Sequence, residues 1–241
     1  MIKYFQIGIC LLILSHNWLK PIVIENKKIT QTPAQLLNEL VLKFNKIQNY
    51  QADVQMQFDI PFMRIDPLQG KVYFKQPDKF RVKTEGIAFL PKQNPYYALA
   101  AISDSNQYAA VESGTELIGT ISTRIINVLP QNHPELVLAK FWIDPNRKLI
   151  LKSQLTTKTN GTVQIEYQYG AMATYTLPDQ MTFTIEIGKF KIPKTMAIEI
   201  NAKKKEQSVE KPRETGIIQL KFSNYLLNQK IDDKVFSENS K

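Results

Sequence analysis

The sequence predicts a mainly β protein that is built on one large, curved antiparallel sheet. Several long stretches alternate apolar and polar residues with a period of two, which indicates strands with one buried face. The stretches follow one another through short connections with turn residues, which favours antiparallel hairpins. One segment near the N-terminus instead repeats its apolar residues at the spacing of an amphipathic helix. Together these patterns predict about eleven strands and one N-terminal helix.

The composition suits a folded domain and argues against several kinds of site. Of the 241 residues, 43% are hydrophobic, and the formal net charge is +9. The basic residues are scattered and no nucleic-acid motif accompanies them, so we expect no nucleic-acid partner. Cys10 is the only cysteine, and His16 and His133 are the only histidines, so we expect no metal site and no cofactor. The motifs of serine hydrolases, nucleotide-binding enzymes and zinc peptidases are missing, so we expect no enzymatic activity.

Residues 1–20 are predicted to be a secretory signal peptide. Lys3 precedes an apolar core at residues 7–14, and polar residues follow that core. The core is much shorter than the roughly 20 apolar residues that a membrane-spanning helix needs. We therefore expect cleavage near residues 17–26 and a single domain over residues 30–241.

The first element of that domain is predicted to be an amphipathic helix. Thr32 is a suitable N-cap, and Pro33 suits the first helical position. An apolar stripe at helical spacing follows, and Asn49 suits a left-handed stop. The stripe consists of Leu36, Leu37, Leu40, Val41, Phe44 and Ile47. It either packs against the sheet as core or lines a binding groove, and the pattern is compatible with both.

Three early strands are predicted to share one apolar face. From residue 50 to residue 60 every even position is apolar and every odd position is polar. Residues 70–75 and 80–82 keep this parity on either side of a turn at Pro77 and Asp78. We predict that the face lines a cavity for an apolar ligand, with a lining of Val54, Met56, Phe58, Val72, Phe74, Phe80 and Val82. The alternative is that the same residues form a closed core without space for a ligand.

Residues 85–103 interrupt the alternation with two apolar runs. We expect an irregular, partly helical segment that lies on the concave side of the sheet as a short lid. The residues predicted to cover the cavity are Leu40 and Phe44 of the helix, and Phe89 and Leu90 of this segment.

The alternation returns after residue 107. Strands are predicted at residues 108–111, 117–128, 139–143, 181–187, 196–200 and 218–222, with a charged hairpin tip at residues 202–214. Another predicted hairpin joins two stretches whose odd positions are apolar, around Leu155 and Ile165. A three-residue loop of Thr159, Asn160 and Gly161 would pair Leu155 with Ile165 and keep both on one face, with Gly161 at positive φ.

Three parts of the chain resemble a known family. Residues 70–81 read Gly-x-Val-Tyr-Phe-Lys-x-Pro-Asp-Lys-Phe-Arg, and residues 141–144 read Phe-Trp-Ile-Asp. The C-terminal part contains Phe-Ser-Asn-Tyr at residues 222–225 and Asp-Asp-Lys-Val-Phe at residues 232–236. With the signal peptide and the helix before the first strand, these segments are similar to the bacterial outer-membrane lipoprotein carriers, the LolA-like family.

The resemblance implies an unclosed half-barrel with helices on its open side. It also implies a periplasmic, monomeric carrier of the acyl chains of lipoproteins, or of other lipids. The implied protein partners are a donor complex in the inner membrane and an acceptor at the outer membrane. Arg64 and Arg81 are the candidates for the arginine that latches the lid in this family.

Two other functions suit the same pattern. One is a periplasmic regulator similar to the sigma-E regulator RseB, which senses lipid; it would need a second domain, for which 241 residues leave little room. The other is an integral outer-membrane barrel, but most strands predicted here are shorter than the roughly 9–11 residues that such barrels use.

Overall fold

The structure is a computed structural model that describes residues 31–61, 63–84, 99, 102–159, 161–186 and 215–237. These residues belong to a compact unit, Gln31–Lys241. The predicted signal peptide, Phe89 and Leu90 of the predicted lid, the strand at residues 196–200 and the charged tip at residues 202–214 lie outside the described residues. Within the described part, no helix is both long enough and apolar enough to cross a membrane.

The described residues form two α-helices and ten strands. The helices are α1 (Pro33–Phe44) and α2 (Lys234–Ser237). The strands are β1 (Asn49–Asp59), β2 (Leu68–Lys75), β3 (Lys79–Thr84), β4 (Tyr108–Ile118), β5 (Ile121–Pro130), β6 (Leu136–Asp144), β7 (Leu149–Thr157), β8 (Gly161–Gln168), β9 (Gln180–Glu186) and β10 (Thr215–Leu227).

All ten strands join in a single antiparallel sheet with the order β3-β2-β1-β10-β9-β8-β7-β6-β5-β4. Strands that follow one another in the chain are neighbours in the sheet, except for β3 and β4, which lie at its two ends. The last strand, β10, returns to pair with β1. The sheet is therefore unclosed among the described residues, and the prediction of one large antiparallel sheet with an N-terminal helix is confirmed.

Helix α1 begins at the predicted residue because a capping box holds its first turn. The N–H of Gln35 donates to Thr32 Oγ1 at 3.2 Å, and the N–H of Thr32 donates to Gln35 Oε1 at 2.8 Å. Pro33 occupies the first turn, where a missing N–H costs nothing. Both predictions for the helix start are confirmed.

The predicted helix stop at Asn49 is wrong, because the helix ends at Phe44 and Asn49 is already the first residue of β1. The left-handed residue at this corner is instead Asn228, which has a φ of 52° and follows β10. Its side chain accepts a hydrogen bond from the N–H of Gln48 at 2.8 Å. A residue that is distant in sequence therefore satisfies a backbone N–H in the connection between α1 and β1.

The predicted strand over residues 117–128 is also wrong, because a turn at Gly119 and Thr120 divides it between β4 and β5. Gly119 has a φ of 60°, which suits a two-residue hairpin. The polar residues before it, which the sequence analysis left outside any strand, continue β4 through a bulge between Glu112 and Gly114. Gly114 adopts a φ of 125° there, so this glycine serves a bulge and not a turn.

The hairpin of β7 and β8 confirms one part of its prediction and corrects another. Gly161 has a φ of 69°, and Leu155 and Ile165 lie on the same buried face, as predicted. However, Leu155 pairs with Val163, because Gly161 already pairs with Thr157 and the loop therefore begins at Lys158. The loop starts one residue earlier than predicted, and this shifts the pairing by two residues and preserves the face.

Candidate functional site: an apolar inner face

The inner face of the sheet is apolar, and the strand register shows which of its residues adjoin. One row crosses the sheet from β1 to β5 through Phe58, Ile218, Phe183, Ile165, Ser153, Phe141 and Ile126. A second row runs beside it through Ile185, Val163, Leu155, Ala139 and Val128. Every residue of both rows is buried except Phe58, which is partly buried against the core. The face is therefore continuous across both halves of the sheet.

The seven predicted lining residues all belong to this face. Val54, Met56, Val72 and Phe74 are at most 3% exposed, and Phe58, Phe80 and Val82 are partly buried against them. The register pairs Val72 with Val82 and Phe74 with Phe80 across β2 and β3, as their shared parity requires. Their role in ligand binding stays a prediction.

The sequence analysis missed the half of the face that β5 to β9 contribute. Phe183, Ile165, Phe141 and Ile126 are each fully or almost fully buried there. The alternation around Phe183 and Ile165 did predict strands, but it does not say which side of the sheet the apolar positions occupy. That assignment needs the pairing of β9 with β10 and of β10 with β1, and β10 is distant in sequence from β1.

Helix α1 covers the inner face. Leu36, Leu37 and Leu40 of the helix are at most 1% exposed and belong to the same core as the sheet residues. The ring of Phe44 lies 5.3 Å from that of Phe74 of β2, and Phe74 also stacks on Tyr50 at 5.4 Å. Two predicted lid residues, Leu40 and Phe44, therefore fill the space over the sheet in this state.

Polar contacts connect the exposed side of α1 to the turn between β6 and β7. Lys148 Nζ lies 3.1 Å from Glu39 Oε2, and Lys43 Nζ donates to the carbonyl oxygen of Arg147 at 2.9 Å. Burial lowers the pKa of Lys43, and the charge of the nearby Arg147 lowers it further. Contacts of this kind contribute little each, because their charges are partly solvated. The apolar stripe therefore accounts for most of the stability of the docked helix.

The turn that receives α1 is built on Asp144, which is 3% exposed. Asp144 accepts hydrogen bonds from the N–H groups of Asn146 and Arg147 and from Arg147 Nε, the last at 2.7 Å. Burial alone raises the pKa of Asp144, but the bonds from Arg147 and Asn146 outweigh it and hold that pKa below its ordinary value.

The buried polar groups of the inner face include hydroxyls. Ser153 Oγ and the hydroxyl oxygen of Tyr167 lie 3.0 Å apart, and burial raises the pKa of Tyr167 to about 12. Tyr108, at the start of β4, is 7% exposed, and its buried hydroxyl has no hydrogen-bond partner in the part of the chain that the structure describes. Among the described residues, no three His, Cys, Asp or Glu side chains cluster as metal ligands would. A buried hydroxyl without a protein partner, unlike one that is already paired, suits the orientation of a ligand.

The sequence matches no protein-family model and no curated protein. Solved structures match the fold. A putative outer membrane lipoprotein-sorting protein domain from Vibrio parahaemolyticus superposes with a TM-score of 0.59 at 10% identity, over 85% of this chain and 95% of that one. A LolA superfamily protein from Nitrosomonas europaea gives 0.53 at 12% identity, over 86% of this chain and 98% of that one. A DUF1329 family protein from Desulfovibrio piger gives 0.51 at 12% identity, over 85% of this chain and 97% of that one. The fold is LolA-like.

The two latch candidates occupy different elements of this LolA-like fold. Arg64 is exposed in the connection between β1 and β2. Arg81 alternates with Phe80 and Val82 in β3 and pairs with Tyr73, so the register places it on the outer side of the sheet. Its Nε is buried and makes no hydrogen bond with any described residue. Their predicted role as a latch remains a prediction.

The outer side of the LolA-like sheet carries a polar groove of about 780 Å³. Its lining includes Asp53, Gln55, Lys71 and Tyr73. Lys71 Nζ lies 2.8 Å from Asp53 Oδ1, and Asn224 Nδ2 donates to Asp53 Oδ2 at 2.8 Å. The two charged groups Asp53 and Lys71 thus satisfy each other, and the apolar inner face is the better candidate for a functional surface.

Proposed function

We propose that the protein binds acyl chains on the inner face of its sheet and carries them through the periplasm. The observation that carries this proposal is a continuous apolar face across the sheet that the amphipathic helix α1 covers. The cargo would be the acyl chains of lipoproteins or of other lipids, received from an inner-membrane donor complex and delivered to an outer-membrane acceptor. The activity would be binding and release without catalysis, by a monomer.

The energies of burial support an exchange between helix α1 and an acyl chain. An acyl chain of about 15 methylenes gains about 12 kcal/mol when it leaves water. The five buried apolar side chains of α1 gain about 8–15 kcal/mol by the same measure. Because the two quantities are similar, the helix and the ligand can compete for one surface. A carrier needs such a balance, since a ligand that binds far more tightly is not released.

The test is a reversible lock on α1. In a Cys10→Ser background, Glu39→Cys and Lys148→Cys place two thiols where the native side chains lie 3.1 Å apart. A bis-maleimide with a cleavable disulfide then joins the helix to the turn between β6 and β7. We expect the cross-link to abolish binding of a fluorescent fatty acyl probe, and reductant to restore it.

A matched control joins Asp53→Cys to Lys71→Cys, another ion pair, which lies on the outer face at 2.8 Å. This cross-link should leave probe binding unchanged. If the unmodified protein binds no acyl probe, the proposed function is wrong. If it binds the probe equally well with α1 locked, the inner face under α1 is not the binding surface.

A further inference from the structure

Tyr108 has a buried hydroxyl on the inner face that lacks a hydrogen-bond partner among the described residues. The residue is 7% exposed and belongs to the apolar core. Buried tyrosine hydroxyls usually find a partner, because an unsatisfied polar group in the core costs free energy. A hydroxyl that stays unsatisfied in the ligand-free fold therefore calls for an explanation.

The register places Tyr108 beside one end of an apolar row. Tyr108 pairs with Pro130, and Ala110, the next inner position of β4, pairs with Val128. From Val128 the row continues through Ala139, Leu155 and Val163. An acyl chain that lay along this row would bring one of its ends to the hydroxyl of Tyr108.

Tyr167 provides the contrast within the same core. Its hydroxyl lies 3.0 Å from Ser153 Oγ, so this chain does satisfy a buried tyrosine where a partner is available. The hydroxyl of Tyr108 is also protonated at neutral pH, because burial, and then the negative charge of Asp104, raise its pKa. It is therefore a hydrogen-bond donor, and it suits a neutral acceptor better than an anion beside Asp104.

We propose that the hydroxyl of Tyr108 donates a hydrogen bond to the carbonyl oxygen of an ester-linked or amide-linked acyl chain on the inner face. The site then prefers acyl ligands that carry a carbonyl group over hydrocarbon chains of the same length. This proposal rests on the proposed function, because it needs an acyl ligand on this face.

Two matched probes test the preference directly. One is a fluorescent long-chain acyl ester, and the other is its alkyl ether, which lacks only the carbonyl oxygen. We expect the native protein to bind the ester about three- to tenfold more tightly, the range of one buried hydrogen bond. Tyr108→Phe should weaken binding of the ester to the level of the ether and leave binding of the ether unchanged.

Tyr167→Phe is the control, since it removes a hydroxyl that already has a partner. This variant should keep the preference for the ester. The stabilities of the two ligand-free variants should also differ. The urea midpoint of Tyr108→Phe should equal or exceed that of the native protein. The urea midpoint of Tyr167→Phe should be lower than the native one, because Ser153 loses its partner.

The outcomes distinguish the two proposals. Binding of neither probe by the native protein overturns the proposed function. Binding of both probes with equal affinity leaves that function intact and overturns the role of Tyr108, and this comparison needs no variant to fold. Retention of the ester preference in Tyr108→Phe overturns the role of Tyr108 as well.

Discussion

Asn228 is a polar residue whose hydrogen bonds join distant parts of the chain. Its Oδ1 accepts from the N–H of Gln48, and its own N–H donates to the carbonyl oxygen of Asn49 at 2.9 Å. It therefore connects the end of β10 to the corner between α1 and β1. Its φ of 52° suits asparagine and glycine better than other residues.

We expect Asn228→Ala to lower the free energy of unfolding by about 1–2 kcal/mol, because the N–H of Gln48 loses its partner and alanine is strained at positive φ. Asn228→Gly keeps the backbone conformation and removes only the side chain, so its cost should be smaller. Urea denaturation of both variants measures the difference. Native stability in Asn228→Ala would show that the corner does not depend on this side chain.

Phe74 and Phe58 are two inner-face phenylalanines with different burial. Phe74 is 1% exposed between Phe44 and Tyr50, whereas Phe58 is only partly buried. We expect Phe74→Ala to cost about 3–5 kcal/mol of stability through the cavity that it leaves, and Phe58→Ala to cost clearly less. Chemical denaturation of the ligand-free protein checks this. Equal costs for the two variants would mean that Phe74 is not packed under α1.

At the scale of the element, helix α1 depends on the turn that it contacts. The turn between β6 and β7 presents Lys148 to Glu39 and the carbonyl oxygen of Arg147 to Lys43. Asp144 fixes the conformation of this turn through its bonds to Asn146 and Arg147. The protonation of one buried carboxylate therefore affects how well the helix is held.

The stability that Asp144 contributes should depend on pH. Its pKa is lowered in the folded protein, so the contribution is complete above the ordinary value of 3.8 and is lost as the pH falls through the lowered one. Asp144→Asn keeps an acceptor for the backbone N–H groups and removes the charge. We expect this variant to lose less stability than the native protein between about pH 5 and pH 2.

Thermal unfolding over this pH range, in parallel for both proteins, measures the effect. Asp53→Asn is a comparison variant: the hydrogen bond from Lys71 also lowers the pKa of Asp53, but this ion pair is largely exposed. Its pH dependence should therefore change less. Identical pH profiles for the native protein and Asp144→Asn would contradict the role of the buried carboxylate.

At the scale of the whole molecule, strand β10 connects the two halves of the sheet. It pairs with β1 on one side and β9 on the other, so it joins the strands before residue 85 to the strands after residue 107. Its inner residues Ile218 and Leu220 are at most 2% exposed. Ile218 joins Phe58 to Phe183, and Leu220 joins Met56 to Met181.

Truncation before Thr215 should therefore abolish cooperative unfolding, because β1 to β3 lose their neighbour and the inner face loses its centre. Truncation after Ser237, which removes only the last polar residues, is the control and should unfold like the full chain. Near-ultraviolet circular dichroism during heating distinguishes them. A sharp transition in the shorter variant would show that the two halves of the sheet fold without β10.

The sequence alone determined the local elements of this protein. Alternation with period two identified the strands around Phe58, Phe74, Phe183 and Ile218, and the cap at Thr32 located the start of α1, because these signals depend on neighbouring residues. The errors arose where distant residues decide. Asn228, and not Asn49, is the left-handed residue beside the end of α1, and it hydrogen-bonds to Gln48 there. Gly114 forms a bulge in β4, which is defined by the pairing of β4 with β5.

Only the tertiary structure decided which residues meet. The seven lining residues of β1 to β3 could be chosen by parity, but Phe141 and Ile126 join their face through pairings between strands far apart in sequence. The unpartnered hydroxyl of Tyr108 has no sequence signal, because a tyrosine in a strand is ordinary until its surroundings are known. The physical reason is the sequence distance over which each effect acts. Propensity, capping and alternation depend on residues within a few positions of each other. Burial and hydrogen-bond satisfaction depend on the strands that the fold places next to a residue, which can be distant in sequence.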